Sequence, residues 1–302
     1  GGSWDVSIYI SFSDTPHIMF DDYGDPSDPK PVLRPIDTTT VSHLRECIKV
    51  GYAHDQAGGL TPTVKAPEFR IRNIHGEGGF DAVTTDGLNN NRTTVFRGNG
   101  ACDLMMVDCD FNGFGNSTIY SQTGSGATNH DNKLHIDNCS LNNFGGQYPI
   151  MWVGSYGDET SVCLTGLRAA NPGDARCGAG NLGAHSILRG DGMFTHIRGC
   201  DIFSTDETQP GLSPVKTPQK DGFIVNIHST SIEGGAAGIS MGGNYSVTPE
   251  RRCATANVIV DELIYVGTWE SKVAVGSNVS GTTVRNVLGL WLSLIHISEP
   301  TR

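Results

Sequence analysis

Short apolar runs separated by Gly, Asn, Asp, Ser and Thr fill most of the chain. None keeps the three-and-four spacing that an amphipathic helix requires. Residues 186–203, SILRGDGMFTHIRGCDIF, are a concentrated example: Arg189 stands inside an apolar run, and Cys200 follows eleven positions later. The second half of this stretch reads apolar-x-x-Cys-x-apolar. With Cys or Thr at its centre it recurs around Cys109 (Met106 to Phe111), Cys139 (Ile136 to Leu141), Thr165 (Val162 to Leu167), Cys200 (Ile197 to Ile202) and Thr230 (Ile227 to Ile232). Weaker copies end at Ile74 and Val287. The five centres are separated by 30, 26, 35 and 30 residues, so loop length varies while the core pattern holds. The first half recurs as well, ending at Ser121, Trp152, Arg189, Lys216, Met241 and Val275, each copy falling between copies of the other half.

A unit of two short strands, about 30 residues long, cannot bury its apolar face alone, whereas stacked copies build one continuous core. The pattern therefore predicts an all-β fold, a right-handed parallel β-helix (a solenoid) with long loops on one face. Like residues should pile up about 4.8 Å apart along parallel sheets. Residues 1–291 read as a single such domain. Residues 292–302, LSLIHISEPTR, resemble the translation of a transposase adapter used in sequencing libraries. That implies a metagenomic fragment with a non-native tail, so His296 and Arg302 are set aside as site candidates. The chain opens on Gly1-Gly2 without a signal peptide, and both native termini are expected to be missing.

Composition narrows the partners. Of 302 residues 37% are hydrophobic and 18% charged, with a formal charge of -11, which suits a folded, water-soluble domain. The acidic balance opposes nucleic acid, and no apolar run is long enough for a membrane span.

Several stretches resemble the pectate-lyase-like superfamily of secreted β-helices, over nearly all of residues 15–290. TPHIMFDDYGDPSDPKPVLRP is similar to the early-coil pattern of such proteins, with Tyr23-Gly24 followed by Lys30-Pro31-Val32-Leu33. HSILRGDG through IRGCDIF resembles a His/Arg-bearing coil of polysaccharide-lyase-like members. The resemblance implies an extracellular location and activity on polysaccharide. The Asn-Thr-Asp, Asp-Asp and Gly-His-Gly set of the galacturonase-type hydrolases is not found at suitable places, since Asp21-Asp22 belongs to the early-coil pattern.

Cys109, Cys139 and Cys200 are expected in one inward column with Thr165 and Thr230, as small residues beside a turn. Zinc is the alternative, but no Cys-x-x-Cys is present. Disulfides stay open among Cys47, Cys102, Cys163, Cys177 and Cys253. Asp108-x-Asp110-x-Asn112-Gly113 opens like a calcium loop, yet its twelfth position is Ile119 rather than Glu. No metal ligand set and no cofactor is therefore assigned. Arg189-Gly190-Asp191 spells an adhesive tripeptide that doubles as an ordinary turn, and sequons such as Asn116-Ser117-Thr118 carry little weight.

The arginine carries the functional expectation. Aligned by its apolar step, the second strand gives a column of Ser121, Trp152, Arg189, Lys216, Met241 and Val275. Alternation would send this column outward if its neighbours point inward. Trp152, Arg189 and Lys216 would then line one face, with His185 and Lys220 on nearby turns, a surface suited to an acidic sugar chain. In a β-elimination on a uronate, Arg189 would bind the carboxylate, Lys216 or His185 would remove the proton, and Trp152 and Lys220 would hold substrate. The loops at 169–185 and 204–222 would wall the groove. The leading reading is a secreted lyase acting on an acidic, uronate-containing polysaccharide. The alternative is a noncatalytic β-helix adhesin, surface protein or tail-fibre-like glycan binder.

Overall fold

The computed structural model describes residues 2–10, 17–22, 25, 27–36, 46–50, 68–79, 93–98, 102–115, 117–122, 133–144, 148–153, 161–170, 187–190, 193–204, 210–214, 223–234, 237–241, 256–267, 273–275 and 281–291. Among these residues there is no helix, and the strands form two sheets, one of seventeen strands and one of nine. The strands pair in parallel with the coil before and the coil after, as Lys133–Asp137 does with Asp103–Val107 on one side and Ser161–Thr165 on the other. The chain is a parallel β-solenoid.

One coil shows why the sequence winds this way. Lys133–Asp137 alternates half-buried and buried residues, with Leu134 and Ile136 inside. Asn138 then adopts φ 49°, Cys139 points inward, and Ser140–Asn142 continues in the same sheet. After Asn143, also at φ 49°, the chain crosses to the nine-stranded sheet as Ile150–Val153. Equivalent corners are made by Asn73, Asp108, Gly166, Gly199, Ser229, Glu262 and Asn286, all at φ between 48 and 61°. A single left-handed residue bends the strand, and Gly, Asn and Asp adopt that conformation at least cost. The corner also changes the inward spacing. Leu104, Met106, Cys109 and Phe111 point inward at steps of two, three and two residues, because Asp108 occupies the bend. The recurring apolar-x-x-Cys-x-apolar pattern is therefore the end of one strand, a corner, and the start of the next.

The inward column beside the corner runs Ile74, Cys109, Cys139, Leu167, Cys200, Thr230 and Leu263, and all seven are buried. Here one expectation is corrected. Thr165 is not in this column: it pairs with Asp137 and Arg198 on the strand before the corner, and Leu167 takes the inward place. The third of the five copies is Leu164 to Ala169, two residues later than the Thr-centred alignment, because Gly166 is the corner residue. A second continuous column, Ile71, Met106, Ile136, Leu164, Ile197, Ile227 and Val260, lies inside the same sheet. Each such side chain contributes about 1.5–3 kcal/mol by leaving water.

Polar ladders follow the corner on the outside. Asn138 Nδ2 donates to Asp108 Oδ1 at 2.5 Å, and Asn73 Nδ2 donates to Asp22 Oδ1 at 3.1 Å. Five cations on or beside the seventeen-stranded sheet are matched by carboxylates: Arg72 with Asp21, Arg34 with Glu77, Arg70 with Glu68, Lys30 with Asp110 and Arg285 with Asp261.

Candidate functional site

The nine-stranded sheet presents a different balance of charge. Its inward residues are Phe96, Ile119, Ile150, Leu188 and Leu212 in one column, and Gly98, Ser121, Trp152 and Gly190 in the next. Between them runs an outward column in which Lys49, Arg97, Tyr120, Met151, Arg189 and Ser213 pair in succession.

This register corrects the alignment made from the sequence. Ile150 pairs with Leu188 rather than Ile187, so Arg189 stands beside Met151, and Trp152 stands beside Gly190. Trp152 is 1% exposed and lies in the core. Its neighbours in the column are Ser121 and Gly190, and these small residues leave room for the indole. Arg189 does lie in the outward column, but its companions are Tyr120 and Met151. Lys216, His185 and Lys220, with most of the two long loops, lie outside the described residues.

Two guanidinium groups in the column are held alike. Arg97 lies over the Tyr120 ring at 5.2 Å, and Arg189 lies over the Tyr148 ring at 5.3 Å. In both, Nε is enclosed and has no hydrogen-bond partner. Arg97 donates from Nη1 to Glu46 Oε1 at 2.7 Å, while Lys49 Nζ lies 3.2 Å from Glu46 Oε2. That second contact is an ion contact without hydrogen-bond geometry, since Oε2 has no hydrogen-bond partner. Glu46 and Lys49 are enclosed, with side chains 3% and 7% exposed, whereas the Arg97 side chain is 38% exposed. One carboxylate thus serves two cations, and among the described residues no carboxylate pairs with Arg189. Burial pushes the Tyr120 phenol above its ordinary pKa, against the opposing pull of Arg97 and Arg189.

Two concavities elsewhere among the described residues compete. A cavity of about 380 Å³ near the first strands is lined by Trp4, Phe20, Asp21, Asp22, Asp25 and Asp28, among others. Four carboxylates there would repel an anion, and the hydrogen bond from Arg72 holds Asp21 below its ordinary pKa and therefore charged. An open depression of about 400 Å³ on the seventeen-stranded sheet sets Lys133 against Glu68 and Asp103. Neither has cations in excess.

The remaining sequence candidates fall elsewhere. Cys109, Cys139 and Cys200 are buried, as are Cys47 and Cys102; Cys163 is half-buried and faces outward, and Cys177 and Cys253 lie outside the described residues. Burial pushes the Cys47 thiol up to about 12 and the Cys200 thiol up to about 11, so both behave as small apolar side chains. In the calcium-like stretch Asp108 accepts from Asn138, Asp110 from Lys30 and Ser140, and Asn112 from Asn143. Its oxygens bind neighbouring coils. Among the described residues no group of three or more His, Cys, Asp or Glu is arranged to hold a metal ion.

Arg97, Tyr148 and the Glu46–Lys49 pair were not singled out from the sequence. A signal for Arg97 was present: Phe96-Arg97-Gly98 repeats the apolar-Arg-Gly step of Leu188-Arg189-Gly190. Fold and site together define a parallel β-solenoid with a cationic column on one sheet. No known protein family, curated protein or solved structure matches the chain.

Proposed function

We propose that the protein binds an acidic, uronate-containing polysaccharide along the outward column of the nine-stranded sheet and cleaves it by β-elimination. One observation carries the reading. On a chain of net charge -11, this column holds two tyrosine-backed guanidiniums and a lysine against a single carboxylate. Such a strip attracts anions that the rest of the surface repels, and guanidinium groups pair well with planar carboxylates. The resemblance to the pectate-lyase-like superfamily supports the same substrate class and an extracellular setting. In the reaction Arg189 neutralises the uronate carboxylate, which acidifies the C5 proton. Lys216 or His185, from the flanking loops, takes that proton, and the C4–O bond breaks to leave a 4,5-unsaturated sugar, while the departing oxygen takes a proton from water and becomes the reducing end of the other fragment.

The test is absorbance near 235 nm on a panel of uronate polysaccharides. Unsaturated product is expected from the intact protein. Lys216→Ala should abolish turnover while sparing binding if Lys216 is the base, and Arg189→Ala should damage both. Binding without product from the intact protein would replace the lyase reading with that of a noncatalytic glycan binder. No binding to any acidic polysaccharide would overturn both.

A further inference from the structure

We infer that the outward column reads the spacing of charge along its ligand, with Arg97 and Arg189 clamping anionic groups three coils apart on a 1,4-linked acidic chain that runs along the solenoid. This rests on the reading above that the face binds an acidic polysaccharide. Arg97, Tyr120, Met151 and Arg189 occupy one register position on four successive coils. Neighbouring strands are about 4.8 Å apart, so the two arginine positions are separated by about 14 Å. A 1,4-linked pyranose chain advances by roughly one strand spacing per sugar, so four consecutive sugars cover four coils.

Three features make these two arginines a matched pair. Each guanidinium is backed by a tyrosine ring, which limits its freedom before any ligand arrives. Each has an Nε without an acceptor, and turning the group onto a carboxylate would supply one. Between them stand Tyr120 and Met151, a ring and a thioether that offer contact but no charge, so the two middle sugars need not be recognised by an anionic group. The strip is also bounded. Past Arg189 the column continues as Ser213, which is uncharged and buried, and before Arg97 the lysine is enclosed with Glu46. Two clamps on one sheet make the second contact effectively intramolecular, so affinity should rise sharply once a ligand spans both.

The experiment is calorimetric titration with 1,4-linked galacturonate, guluronate and mannuronate oligomers, dimer to hexamer, on a Lys216→Ala, His185→Ala background in which neither proposed base can cleave them. At least one series should show a step of tenfold or more in affinity between trimer and tetramer, with little gain beyond. Arg97→Ala and Arg189→Ala should each erase the step while leaving trimer binding measurable. Arg97→Gln, which keeps a donor for Glu46, guards against a folding defect in the alanine variant and should also erase it. Affinity that climbs evenly with length, or a step that survives either substitution, overturns the two-clamp spacing and leaves the polysaccharide reading standing. Failure of every oligomer and of the parent polymers to bind overturns that reading itself.

Discussion

Trp152 and Met151 are adjacent in sequence, and the register assigns them opposite duties. Trp152 is 1% exposed and packs between Ser121 and Gly190, so Trp152→Ala would remove a large buried ring and leave a cavity. A buried aromatic of this size hides about 150–250 Å², and such truncations cost about 3–5 kcal/mol. The small neighbours in its column cannot swing in to fill the space, which favours the upper part of that range. Met151 lies half-buried in the outward column, so Met151→Ala should cost under about 1 kcal/mol. Urea denaturation followed by far-ultraviolet circular dichroism gives both midpoints without depending on the deleted indole. Binding of acidic polysaccharide should then be weakened by Met151→Ala and retained by Trp152→Phe. If Trp152→Ala keeps the parent midpoint and loses binding while Met151→Ala is the unstable variant, the column is reversed. The site built on Arg97, Tyr120 and Arg189 would fall with it.

The corners and the charge ladders give two further expectations. Gly199 has φ +61° and open space where a Cβ would stand, so Gly199→Ala should cost about 1 kcal/mol of backbone strain and Gly199→Asn almost nothing. At Gly190 a Cβ would come within 2.5 Å of the Pro214 carbonyl oxygen, so Gly190→Ala must move main chain and should lower the urea midpoint further. Equal losses at the two glycines would refute the distinction between conformational cost and close approach. Acid should lower stability over two pH ranges. Desolvation, with help from His228 and Arg198, holds the His196 pKa low, so its contribution is present above about pH 6.5 and fades as the pH falls below that value. The carboxyls of Asp21 (mainly through Arg72), Glu77 (mainly through Arg34) and Asp110 are also held low; at Asp110 burial pulls upward but Lys30 and Ser140 outweigh it. Their contribution is lost below about pH 4, and urea midpoints that rise on acidification through that range would contradict the ladders.

The fold was legible because each coil repeats one inward spacing. Met106, Cys109 and Phe111 match Ile136, Cys139 and Leu141 without a gap, and the same steps recur at Ile197, Cys200 and Ile202. The alignment slipped where the marker residue changed type. At Leu167 the centre is neither Cys nor Thr, and the nearby Thr165 drew the match two residues early. What identifies the true centre is the residue before it, which must accept a positive φ. Gly166 fits that requirement as Asp108 and Asn138 do, whereas Leu164, the residue before Thr165, does not.

On the nine-stranded sheet the error had a different origin. Its described strands are short, such as Leu188–Gly190, and no corner residue inside them pins the phase. An apolar pair such as Ile187-Leu188 then fits the core in either of two registers, and a slip of one residue exchanges the inward and outward faces. Size resolves the choice where hydrophobicity does not. An indole at Trp152 needs small residues in the adjoining coils, and only the register that pairs it with Ser121 and Gly190 supplies them. The same register sets Arg189 in line with Arg97, each followed by an inward glycine whose absent side chain lets a neighbour approach closely, the Pro214 carbonyl oxygen at Gly190 and the Cys102 Sγ at Gly98. The interior packing of Trp152 and the spacing of the two arginines outside are thus set by a single constraint. In a solenoid, core complementarity fixes the axial position of every outward group.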